Sequence, residues 1–260
     1  MTGHHSWGYG QADGPSEWHK AYPIAQGNRQ SPIDIVSARA VYDPSLKPLD
    51  ISYESCTSLS ISNTGHSVMV EFEDADDRTG ETNPGSQLRA ACCQGETMFT
   101  ASITHLILIC YFSLKLHLVH WNARKYATFG EAAAAPDGLA VVGVFLEIGK
   151  EHASMNRLTD ALYMVKFKGT KAQFRGFNPK CLLPLSLDYW TYLGSLTTPP
   201  LNESVTWIVL KEPIRISVKQ LEKFRTLLFT GEEDQRIQMA NNFRPPQPLK
   251  GRIVRASFKA

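Results

Sequence analysis

No stretch of this 260-residue chain reads as a membrane span: its longest apolar run, "LILICYF" at 106–112, falls well short of the roughly 20 residues a spanning helix needs. The first residues, MTGHHSWGYG, place no charged segment ahead of an apolar one, so no secretion signal is read there. Cysteine is sparse and unpatterned. Cys56, Cys92, Cys93, Cys110 and Cys181 are an odd number without framework spacing, which predicts a reduced, cytoplasmic protein. Basic charge is also scarce: 27 Lys and Arg against 25 Asp and Glu leave a formal charge of +2, and no basic patch alternates with aromatics. Nucleic acid and membrane are therefore not expected as partners. Without a repeat, a low-complexity tract or a linker, residues 1–260 read as a single domain.

Short strand-like runs separated by Pro, Gly and Asn are what the chain does contain. "SVMVEFED" (67–74) alternates apolar with polar, while "LAVVGVFLEIG" (139–149) and "VTWIVLKEPIRI" (205–216) read as strands buried on both faces. Two helices are expected to cover this sheet. Ser154 is placed as the cap of one, with Leu158, Leu162 and Val165 on its buried face; Ser217 is placed as the cap of the other, with Leu221, Phe224 and Leu228. The fold class read from this pattern is mostly β (α+β), with peripheral short helices.

"SLKLHLVHWNARKY" (113–126) is built like one wall of a metal site. Strand alternation puts His117 and Val119 on one face and Leu118 and His120 on the other, so one face offers a single imidazole. Further ligands would have to come from elsewhere.

Seven motifs resemble the α-type carbonic anhydrases in order and approximate spacing: "SWGYG" (6–10), "QSPIDI" (30–35), "SNTGHSV" (62–68), "LHLVHWN" (116–122), "PDGLAVVGVFL" (136–146), "YWTYLGSLTTPPLNESVTWIVL" (189–210) and "FRPPQPLKGR" (243–252). The resemblance covers 1–79 and 116–260. The start MTGHH and "SMNRLTDALYMVKFKGTKAQF" (154–174) look most like the cytosolic isoform-seven branch. It implies a single domain around a large, mainly antiparallel twisted sheet, acting as a cytoplasmic monomer on carbon dioxide and bicarbonate. The implied cofactor is zinc on three histidines, with a bound water whose pKa falls from about 15.7 to about 7. By match to the motifs, His117 is one zinc ligand, His66 the proton shuttle, and Thr197 the residue that orients the hydroxide. Val119, Val141, Leu196, Thr198, Val205 and Trp207 correspond to the substrate-binding positions, and Trp7 and Tyr9 to the wet side of the site.

The match fails where two of those ligands should be. The family carries an H-x-H strand there, with a glutamate that accepts the Thr197 hydroxyl proton, whereas residues 80–115 read "GETNPGSQLRAACCQGETMFTASITHLILICYFSLK". Lys115 stands where the family has a carboxylate supporting the His117 ring, and a cation cannot accept an imidazole N–H. Smaller departures are Thr64 and Met69 in place of polar amides, and Leu193 in place of a turn proline. "LILICYFSLK" can be written in pyrimidine-rich codons ending in AAG, and Gly80-Glu81 as GGTGAG, the two ends of an intron. Residues 80–115 are accordingly read as translated non-coding sequence replacing one exon, the alternative being a diverged segment. Cys92, Cys93 and His105 are weighed as substitute ligands and set aside, because adjacent cysteines point to opposite faces of a strand. The expectation is a homologue that does not bind zinc stably and is severely impaired. Its alternatives are a working carbonic anhydrase whose true chain carries the histidine pair, the segment being an error of transcript assembly; a zinc-free, carbonic-anhydrase-related binding protein; or an unstable product of a mis-spliced transcript or gene model, with its central strands disturbed.

Overall fold

The computed structural model describes residues 6–51, 53, 58–72, 96–100 and 112–259. Its strands are β1 (Val41–Tyr42), β2 (Ser58–Asn63), β3 (Val68–Phe72), β4 (Glu96–Thr100), β5 (Phe112–Trp121), β6 (Leu139–Ile148), β7 (Lys171–Gln173), β8 (Tyr189–Gly194), β9 (Val205–Leu210), β10 (Ile214–Ile216) and β11 (Arg255–Ala256). They form one sheet in the order β1-β11-β8-β9-β6-β5-β4-β3-β2-β7, with β10 beside β6. The pairs β1/β11, β6/β9 and β6/β10 are parallel, and the other pairings among the described residues are antiparallel. The α helices are short: α1 (Phe129–Ala134), α2 (Asn156–Ala161) and α3 (Val218–Phe224).

Alternation along the long central strands divides the apolar residues between two cores. Leu114, Leu116 and Leu118 of β5 and Val142, Val144 and Leu146 of β6 face the larger core, which α2 and α3 close with Leu158, Leu221 and Phe224. A fully buried leucine such as Leu116 contributes roughly 1.5–3 kcal/mol relative to exposure. The opposite face carries the candidate site residues. There Val141, Val205, Trp207 and Tyr192 form a second core, with Val119 and Leu196 packed against it.

Several local readings change. The run 205–216 is two strands, because Pro213 has no N–H to give the ladder and the chain breaks at 211–213 before β10. Ser154 is not a cap: it lies inside a 3-10 turn, Ala153–Met155, whose cap is His152, accepting from Met155 N through its side chain. The expected apolar face is retained, since Leu158, Leu162 and Val165 are buried. Ser217 does cap α3, in a reciprocal capping box with Gln220. Leu193 sits within β8 opposite Thr206, half exposed, so its position continues a strand and is not a turn.

The disturbance expected over 80–115 falls, for 80–95 and 101–111, outside the described residues. The described pieces keep the ladder in register. β4 pairs antiparallel with β3 on one side and with β5 on the other.

Candidate functional site

The site is built on the face of β5 that carries Lys115, His117 and Val119. In register across the sheet, His117 lies between Met98 of β4 and Gly143 of β6, and Met98 in turn lies opposite Met69 of β3. One step along, Val119 pairs with Val141, Val141 with Trp207, and Trp207 with Tyr192. One step the other way, Lys115 pairs with Thr100 and Phe145.

His117 meets the Trp207 indole edge to face, with ring centroids 5.0 Å apart at 74°. Desolvation, reinforced by the Lys115 charge, pushes its pKa down to about 3, so the imidazole is neutral at physiological pH. Burial likewise lowers the Lys115 ammonium below the ordinary lysine range. A neutral imidazole is the form that ligates metal, but zinc at a catalytic site takes three protein ligands. Among the described residues no three His, Cys, Asp or Glu side chains converge, and those around His117 do not fit zinc. Cys92, Cys93 and His105, the substitutes weighed from the sequence, lie outside the described residues.

The Thr197 and Thr198 loop follows β8 and is pinned at several points. Ser195 and Ser31 exchange hydrogen bonds, Ser31 N donating to Ser195 Oγ at 2.9 Å and Ser195 N to Ser31 Oγ at 3.0 Å. Trp207 Nε1 donates to Ser195 O at 3.0 Å, which fixes the indole that touches His117. Leu196 N donates to Asn202 O at 2.9 Å and Leu201 N to Thr198 O at 2.9 Å, closing the loop around the half-buried Thr197. Beneath it, buried Arg244 donates to Gln30 Oε1 (2.7 Å), Ser31 O (3.0 Å) and Ala25 O (2.9 Å), and Gln30 Nε2 donates to Leu201 O at 3.1 Å.

His66 occupies the tight turn between β2 and β3, where Gly65 adopts a φ of 83°. Its ring stacks on Trp7, with centroids 3.7 Å apart at 11°, and Trp7 and Tyr9 pack edge on against buried Trp18. Burial and the Lys168 charge lower the His66 pKa, while Asp13 raises it.

The structure therefore joins His117, Val119, Val141, Leu196, Val205 and Trp207 on one face, sets Thr197 and Thr198 on the adjoining loop, and puts His66 on a separate turn beside Trp7. Three contributors escaped the sequence. Arg244 lies in the quoted "FRPPQPLKGR", yet nothing in the string says that its guanidinium is buried beneath the threonine loop. Asn242 donates to the His66 carbonyl, and Tyr53 hydrogen-bonds His120 at 2.8 Å on the core side of β5. Both bring together residues distant in the chain and carry no local signal.

Residues 13–258 match the family model of the eukaryotic-type carbonic anhydrases. Carbonic anhydrase 7 of Homo sapiens and that of Mus musculus are each 67% identical over 264 aligned residues, covering all of this chain and all of theirs. With this match over nearly the whole chain, the protein belongs to the eukaryotic-type carbonic anhydrase family.

Proposed function

We propose that this chain retains the carbon dioxide pocket of a carbonic anhydrase but not its metal centre, and that as it stands it does not hydrate carbon dioxide at an enzymatic rate. The observation that carries the reading is the register at His117. The strand beside it, β4, reads ETMFT with Met98 opposite His117, and the residue two before His117 is a lysine, where the family reaction needs an H-x-H pair and a carboxylate. The apolar wall of Val119, Val141, Leu196, Val205 and Trp207 is assigned to receive carbon dioxide, with Thr198 at its edge. Thr197 would orient a nucleophilic water, and His66 would carry protons.

Dialysed protein of this sequence should hold well under one zinc per chain and give a stopped-flow hydration rate at the buffer background. Stoichiometric zinc that disappears on His117→Ala would refute the reading. Exchange of residues 80–115 for a family segment with the H-x-H strand, its glutamate and the supporting carboxylate should restore hydration. A repaired chain that folds and takes zinc yet stays inactive would shift the defect to Thr64, Met69 or Leu193.

A second reading, a zinc-free binding module, is favoured by one observation: the wall and the threonine loop are held by apolar packing and by the Arg244, Gln30 and Ser31 bonds, none of which uses a metal. In either case the protein is proposed to be a cytoplasmic monomer. Among the described residues no helix is long and apolar enough to cross a membrane.

A further inference from the structure

Asn242 is completely buried, and its side chain makes one hydrogen bond, Nδ2 donating to the backbone carbonyl of His66 at 2.8 Å. Its Oδ1 is buried without a partner. A buried acceptor left empty opposes folding, so what the fold gains from this amide comes through its donor, which satisfies the His66 carbonyl.

The surroundings say what the amide holds. The turn bearing His66 is tied locally by Thr64, whose Oγ1 accepts from His66 N at 3.2 Å and Ser67 N at 3.1 Å. Lys168 packs its stem over the same turn, since a Cβ on Gly65 would lie 2.7 Å from Lys168 Cδ. The Trp7 platform is anchored separately. Gly8 N donates to Asp13 O (2.9 Å), Gly10 N to Asp13 Oδ1 (2.8 Å) and Trp18 Nε1 to Asp13 O (3.0 Å). Turn and platform are thus two independently fixed pieces that meet in the 3.7 Å ring stack.

We propose that Asn242 is a positioning residue for His66: its bond to the His66 carbonyl sets the turn so that the imidazole lies flat on Trp7. The purpose of such a placement rests on the reading of His66 as the proton-carrying group, but the placement itself needs neither metal nor catalysis. Among the described residues, the charged groups facing the ring are Lys168, which opposes its protonation, and Asp13, which favours it.

The test uses the full chain and follows the His66 ring proton resonances and the tryptophan fluorescence as pH is varied. A protonated imidazole stacked on an indole quenches it, so the unaltered protein should show a fluorescence step whose midpoint coincides with the His66 titration, below the ordinary imidazole value. Asn242→Leu should leave the fold intact, abolish the step and move the His66 midpoint upward as the ring leaves the desolvating face. Trp7→Leu should abolish the step as well, with Asn242 untouched. A folded Asn242→Leu protein with an unchanged step and midpoint would overturn the proposal. Should Asn242→Leu fail to fold, the unaltered chain still decides: the Asn242 side-chain amide protons must be protected from exchange and coupled to the His66 carbonyl, and free exchange would overturn it. If His66 moves as described while the repaired enzyme carrying Asn242→Leu keeps its kcat in weak buffer, the positioning stands and the proton-carrying reading fails.

Discussion

Lowering the pH should destabilise this protein measurably through one buried imidazole, His120. It is 7% exposed on the core face of β5, with Nδ1 bonded to the Ala140 carbonyl at 3.2 Å and Nε2 to the Tyr53 hydroxyl at 2.8 Å. Desolvation pushes its pKa from 6.5 down to about 4, against the opposing pull of the Ala140 and Leu118 carbonyls. Below 6.5 the unfolded chain takes up a proton that the folded chain refuses, so stability falls with pH and the loss is complete only below about 4. At about 1.4 kcal/mol per pH unit, the loss is about 2 kcal/mol near pH 5 and about 3 kcal/mol at its limit, set against a net stability of about 5–15 kcal/mol. His117, pushed down to about 3, acts with the same sign, so the decisive quantity is a difference between proteins. Urea unfolding near pH 7.5 and near pH 5 should show the His120→Gln protein losing about 2 kcal/mol less than the unaltered one over that interval. The glutamine protein starts lower, because the Tyr53 bond is changed, but its starting value does not enter the slope. Equal pH dependence in the two proteins would show that the buried ring is protonated without cost, and would refute the reasoning.

Arg244→Met should destabilise the fold by about 3 kcal/mol or more, since it strands the buried Gln30 amide oxygen and the carbonyls of Ser31 and Ala25, and calorimetry would register it as a lowered Tm. The same change should raise hydrogen exchange at Leu196 and Leu201, whose amides close the threonine loop. Ser217→Ala removes the Ser217 half of the capping box on α3 and should cost about 1 kcal/mol in chemical denaturation, with no effect on ligand binding at the remote site. A loss near zero would mean that the helix end is held by packing of Leu221 and Phe224 alone.

Strands whose signal is local were legible in the string. The runs at 67–74, 139–149 and 205–216 gave their positions through alternation and β-branched content, although Pro213 divides the last. The helix start at Ser217 was legible for the same reason, because a capping box is written within four consecutive residues. At 154 the same logic misplaced the cap, since an imidazole at His152 took the role usually given to a hydroxyl. The candidate site residues His66, His117, Thr197 and Trp207 were singled out through motifs, which are strings of neighbours and survive in a single sequence. Alternation along "LHLVH" alone determined that His117 stands without a second imidazole on its own face of the strand.

Tertiary structure decided what lies beside each of these residues. The string at 96–100 does not say which strands it will join; the ladder places it between β3 and β5 and sets Met98 against His117, because register is fixed by two partners far away in the chain. Nor does it say that Asn242 reaches His66, that Arg244 lies beneath the threonine loop, or that Tyr53 finds His120. Those contacts join residues 67 to 214 positions apart, and burial, by taking water away, obliges such polar side chains to find a partner within the fold.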